Sequence, residues 1–190
     1  MLKGPLVIRD YRPTWPMAFR SLGDELRAQL GDDALRIDHI GSTAVPGLAA
    51  KDLIDIQVTV QNLADADRWP TELLPGLIRR DNRTDHVPSG ACTDPVEWTR
   101  AYWSDRRRVH VHVREQGRLN QRYALLFRDY LRADAGAAGA YGAVKRALAG
   151  VAPDDWDAYY AVKEPVCDLI LAGAEHWAVH TDWVPSPPDA

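Results

Sequence analysis

The chain has 190 residues, 46% of them apolar and 26% charged, with a net charge of −4 and a pI near 5.8. That length and apolar content suit one compact domain with a helical appendage, and the interspersed, slightly acidic charge argues against a nucleic-acid or anionic-membrane binder. Cys92 and Cys167 lack CxxC spacing, no apolar run approaches the roughly 20 residues of a membrane helix, and MLKGPLVIRDYRP carries no signal-peptide core, so a disulfide scaffold is excluded and the cytoplasm is the expected compartment.

In chain order, residues 5–9 read as a short opening strand. Thr14 is placed to cap a helix from Trp15, where Trp15, Phe19, Leu22, Leu26 and Leu30 recur at helical spacing until Gly31. Two β-prone segments, 35–40 and 53–60, flank the stretch GSTAVPGLAAKD. Residues 64–75 read as a helix interrupted by Pro70, and 81–97 as a long polar loop. Segments 98–103 and 107–114 form an expected hairpin, with Arg106, Arg107 and Arg108 as its solvated turn. Helices are expected over about 120–133, 137–149 and 154–178, the last kinked or broken at Pro165. This gives a mixed α/β core over 1–117, a helical unit over 118–182 packed on it, and a mobile tail over 183–190.

Side chains alternate along a strand. Ile54, Ile56, Val58 and Val60 therefore share one face and Asp55, Gln57 and Thr59 the other. In the second hairpin strand, Val109, Val111 and Val113 oppose Arg108, His110, His112 and Arg114. Two polar rows backed by β-branched rows predict a sheet with one buried and one working face. Between the first two strands, Gly41 lets the backbone approach a phosphate and the Ser42 and Thr43 hydroxyls can bond its oxygens. The plain alternative is a turn closed by Pro46-Gly47.

The run from His39 to Lys51, HIGSTAVPGLAAK, followed by Ile54-Asp55-Ile56, resembles the signature of the GrpB family. So do His110-Val111-His112-Val113, the segment Leu125 to Arg132, Tyr141 with Lys145, Arg146 and Leu148, and Tyr159 with Lys163. The resemblance implies the nucleotidyltransferase superfamily: an α/β (α+β) fold with a mixed β-sheet, flanking helices and a C-terminal helical unit. It also implies a divalent metal (Mg²⁺ or Mn²⁺), with a nucleoside triphosphate as substrate. Ile40-Gly41-Ser42 and Asp55-Ile56-Gln57 match the superfamily pattern except for its last carboxylate. Gln57 is a poor Mg²⁺ ligand, so His110 or His112 is the candidate replacement, imidazole suiting Mn²⁺, Fe²⁺ or Zn²⁺ better.

The candidate metal set is therefore Asp55, Gln57, His110 and His112, with Asp55 and His112 catalytic. Gly41, Ser42, Thr43, Arg128 and Lys145 are the candidate phosphate and nucleotide contacts. Against these stand plainer readings: an Arg128–Asp129 pair that only docks helices, Lys145 and Lys163 on solvated helix faces, a structural hydrogen bond for His39, and a surface charge for Asp38. Three functions follow. The first is a metal-dependent nucleotidyl or phosphoryl transferase acting on a small molecule. The second is a non-catalytic nucleotide- or CoA-binding module assisting a partner, since relatives of the family occur fused to dephospho-CoA kinases. The third is a histidine-metal enzyme built on His110 and His112.

Overall fold

A computed structural model describes residues 4–105 and 108–190. It contains helices α1 (Thr14–Leu30), α2 (Leu119–Ala133), α3 (Ala135–Val151) and α4 (Trp156–Thr181). The strands are β1 (Arg36–Ile40), β2 (Ile54–Val60), β3 (Glu72–Leu74), β4 (Leu77–Arg80), β5 (Ala101–Ser104) and β6 (Val109–Glu115). They form one mixed sheet in the order β1-β2-β6-β5-β4-β3. Only β2 and β6 run parallel; every other neighbouring pair is antiparallel.

The apolar rows made the expected layer. Ile54, Ile56, Val58 and Val60 pack with Val111, Val113 and Trp103 against Trp15, Phe19, Leu26 and Leu30 of α1. On the opposite face α2 covers the inner part of the polar rows, and α3 and α4 pack behind it. Small apolar clusters join these layers: Val45 and Leu48 to Leu131 and Tyr141, and Ile40 to Ala124 and Leu125.

Several local expectations are corrected. Residues 5–9 form no strand; a single bridge joins Arg9 to Ala50. Thr14 begins α1 rather than capping it, because Pro13, with φ fixed at −60°, already holds the helical entrance. The segment 64–75 is not one helix. A 3₁₀ turn over Leu63–Arg68, capped by the Asn62 side chain, ends before Pro70, and β3 and β4 follow as a hairpin turning at Gly76. Pro165 does not break α4, which runs unbroken to Thr181. Buried Tyr159 before the proline, and Cys167, Ala174 and Ala178 after it, hold the helix against its neighbours. Arg106 and Arg107 lie outside the described residues; Arg108 is exposed.

The tail over 183–190, expected to be mobile, lies along the edge strand β1. The backbone N–H groups of Asp189 and Ala190 donate to the Ile37 carbonyl, and the Asp189 carboxylate accepts from the His39 N–H at 3.0 Å. An edge strand presents unpaired backbone groups, and here the tail satisfies some of them. Asp38, read as a surface charge, is fully buried and paired with Arg36 at 2.8 Å.

Candidate functional site

The parallel pairing of β2 and β6 aligns Asp55 with His110, Gln57 with His112 and Thr59 with Arg114. Aligned residues on parallel neighbours project to the same face, so both polar rows stand side by side. Their outer end lines a cavity of about 610 Å³, walled by the Gly41–Thr43 loop, β5, α2, α3 and α4.

Asp55 Oδ1 lies 3.3 Å from His110 Nδ1 and 3.4 Å from His112 Nε2. Arg100 donates to His112 Nδ1 at 2.6 Å. A guanidinium can only donate, so Nδ1 accepts and the imidazole proton sits on Nε2, facing Asp55. Burial lowers the His112 pKa to about 4, leaving a neutral ring at neutral pH. Burial alone would raise the Asp55 pKa, but hydrogen bonds with His110 and His112 outweigh it and hold the carboxyl well below its ordinary range. Behind this pair, Arg100 and Arg114 share one carboxylate, Asp85, at 2.8 Å each.

The loop between β1 and β2 comes close to Asp55 because residue 41 has no side chain. Gly41 has φ +70°, and a Cβ there would stand 2.5 Å from Asp55 Oδ2. Ser42 Oγ accepts from Lys145 Nζ at 2.8 Å. Lys145 is 2% exposed, and its ammonium lies 4.3 Å from the Tyr141 ring centre. Burial, then the neighbouring Lys163, lowers its pKa to about 7. Lys51, held over the Trp156, Tyr159 and Tyr160 rings at 5.1, 5.4 and 5.2 Å, lines the same cavity. Among the described residues, Lys51, Lys145 and Lys163 make no ion pair.

The structure thus brings together Gly41, Ser42, Thr43, Asp55, His110, His112 and Lys145 around the cavity, spends the Thr43 hydroxyl on the loop itself, and leaves Gln57 and Arg128 off the cavity wall. Thr43 Oγ1 accepts from buried His39 Nε2 at 3.0 Å and donates to the Leu53 carbonyl at 3.0 Å, so it fastens the loop. Gln57 is fully buried: its Oε1 accepts from Arg114 at 2.6 Å and its Nε2 donates to the Gln121 carbonyl at 3.2 Å. Both ends of the amide are therefore engaged and Gln57 does not line the cavity, so the geometry does not offer it as a metal ligand. Arg128 is fully buried and does not line the cavity. It donates to Asp129 at 2.7 Å, Asp189 at 2.7 Å, the His39 carbonyl at 3.1 Å and Ser186 at 3.2 Å.

Sequence reasoning missed Asp85, Arg100 and Tyr102 as neighbours of the site, because nothing in the polar loop or in β5 repeats at a diagnostic spacing. Lys163 was visible four residues after Tyr159, but helical spacing alone does not separate a cavity wall from a solvated face.

Asp55, His110 and His112 each offer a ligand atom, all within 4.8 Å of one another. One carboxylate and two imidazoles do not make the oxygen-rich set that Mg²⁺ prefers; they suit Mn²⁺, Fe²⁺ or Zn²⁺. His112 can ligate through Nε2 only if its proton moves to Nδ1, which requires Arg100 to withdraw onto Asp85. With Arg100 on His112 Nδ1, the donor set fits one borderline cation on Asp55 and His110.

The family model described as GrpB protein matches residues 5–172. A dephospho-CoA kinase of Mycolicibacterium paratuberculosis is 40% identical over 96% of this chain and 49% of its own length. A UPF0157 protein of Streptomyces coelicolor is 36% identical over 87% of this chain and 80% of its own. The chain spans about half the length of the dephospho-CoA kinases it matches. The crystal structure of conserved protein GrpB from Enterococcus faecalis superposes with a TM-score of 0.68 at 28% identity, covering 90% of this chain and 99% of that one. No described helix is long and apolar enough to cross a membrane. With the loop, both strands and all four helices inside the matched span or its flank, the chain belongs to the GrpB family.

Proposed function

We propose that the cavity binds a phosphorylated small molecule, a nucleotide or a CoA-type compound, and serves phosphoryl or nucleotidyl transfer on it. The observation that carries this reading is charge. Lys51, Arg100, Arg114, Lys145 and Lys163 face only Asp55, Asp85 and Glu164 among the cavity's lining groups, and the three lysines lack a carboxylate of their own. Ammonium groups left unpaired in a partly buried cavity repel one another until an anion enters. Phosphate oxygens match them, with Ser42 and the Gly41 backbone at close range.

Asp55, kept ionised, and His110 would hold a divalent cation, whose chemistry is to neutralise charge on the transferring phosphoryl group. His112 stays neutral and hydrogen-bonded, fixing the Asp55 carboxylate in place, while Arg100 fixes the ring. Calorimetric titration of a nucleoside triphosphate and of CoA, each with Mn²⁺ or Mg²⁺, tests the reading. Binding lost in Lys51→Met and Lys163→Met variants that still melt cooperatively is the expected result. Binding that ignores both substitutions would overturn it.

A second reading has its own support. Gln57 replaces the second carboxylate and is locked to Arg114, and matched relatives are named dephospho-CoA kinases, twice this chain's length. A non-catalytic nucleotide- or CoA-binding module assisting such a partner would bind the same ligands without turnover. Product analysis in the titrated samples separates the two.

A further inference from the structure

We propose that Ser42 is a nucleophile and Lys145 its general base, so that the transferred phosphoryl group passes through a covalent phosphoserine at residue 42. This rests on the reading of the cavity as a phosphate site and specifies how the transfer would proceed.

The geometry is that of a serine activated by an amine. Lys145 Nζ and Ser42 Oγ are 2.8 Å apart, a direct hydrogen bond. A lysine that merely holds a phosphate is served best by being charged and accessible. Lys145 is instead 2% exposed, packed against the Tyr141 ring, and has no carboxylate beside it. Burial is the largest influence against its proton, followed by Lys163 from α4. Lys51, from the loop before β2, and Arg146, on its own helix, act in the same sense, while Cys167 on α4 opposes them. The amine is thus free of its proton for a large share of molecules near pH 7. Ser42 itself is half-buried and lines the cavity, so its oxygen is presented to whatever binds there.

The step balances without another reagent. The Lys145 amine takes the Ser42 hydroxyl proton as Oγ attacks phosphorus. The bond from phosphorus to the leaving oxygen breaks, that oxygen keeps the electron pair, and the Lys145 ammonium returns the proton to it. An acceptor hydroxyl or water then attacks the phosphoserine, with Lys145 again taking and returning one proton.

A fluorophosphonate probe tests this without knowledge of the substrate, because an activated serine oxygen displaces fluoride from phosphorus. Peptide mass mapping should find the label on Ser42, absent in Ser42→Ala. Its rate should rise with pH through about 7, the midpoint belonging to Lys145. Lys145→Arg, which keeps charge but removes the base, should slow labelling by about 10²-fold or more. Lys163→Met removes a neighbouring cation, so the midpoint should move upward. An unlabelled Ser42 in the folded protein overturns the proposal, as does labelling that Lys145→Arg leaves unchanged. So does a midpoint unmoved by Lys163→Met. Nucleotide binding by the same samples is read separately: binding without Ser42 labelling removes the nucleophile but keeps the phosphate site, and labelling without binding does the reverse.

Discussion

Two buried cations, Arg128 on α2 and Lys145 on α3, show how a fold distinguishes support from function. Arg128 is fully buried, yet every edge of its guanidinium is used: Asp129, Asp189, Ser186 and the His39 carbonyl all accept from it, and Asp38 lies 3.7 Å away. Lys145 is almost as deeply buried and has one hydroxyl and one aromatic face. A saturated cation fixes the chain around it, here joining α2, β1 and the C-terminal tail. An unsaturated one is costly to the fold and is retained where something else will complete it.

The comparison breaks first at Arg128. Arg128→Met removes the cation shared by Asp189 and Asp129, leaving Asp38 only its Arg36 partner, and should destabilise the protein by about 3–5 kcal/mol in urea unfolding. A loss below about 1 kcal/mol would mean that the network is ornamental. Gly41 comes next. Gly41→Ala must hold a left-handed φ and push the Asp55 carboxylate away, costing about 1–3 kcal/mol and abolishing nucleotide and metal binding together. Calorimetry on a variant that still folds checks the coupling; retained binding would show that the close approach is not needed.

Lys145 should behave in the opposite sense to Arg128. Lys145→Met, removing an uncompensated buried cation, should raise stability by about 1–2 kcal/mol while weakening anion binding. The pH dependence carries the same signature. The folded amine titrates near 7 and the unfolded one near 10.5, so between those values only the unfolded chain holds the proton. Stability therefore rises as pH climbs from about 7 to about 10.5 and that increment vanishes in Lys145→Met, measured by urea melts across the range. The smallest expected effect is at position 57. Gln57→Glu places its new charge against Arg114 rather than in the cavity, so Mn²⁺ and Mg²⁺ affinity should not increase. A marked gain by calorimetric titration would return residue 57 to the metal set.

How far the site was legible can be followed residue by residue. His110 and His112 could be placed on one face of their strand, and Asp55 opposite the isoleucines of its own, from alternation alone, because side-chain parity is a local property of an extended backbone. The Gly41-Ser42 turn was likewise visible, since few residues tolerate the conformation it needs. Arg128 and Lys145 looked equivalent in the sequence: both are cations on amphipathic helices near a family motif. Gln57 looked like a weakened ligand, although it has the parity of Asp55, because parity says which face a side chain takes and not what covers it.

Local chemistry therefore determined the strands that carry the polar rows, the apolar layer beneath them, the helices after residue 117 and the glycine loop. Each depends on interactions within a few residues. The tertiary structure alone decided the parallel register that sets Asp55 beside His110, the burial of Gln57 under α2, and the docking of Asp189 on Arg128. It also decided the gathering of Lys51, Lys145 and Lys163, which lie far apart in the chain, around one cavity. Those arrangements depend on which surfaces pack together, and packing is settled by the whole core at once rather than by any segment's own periodicity.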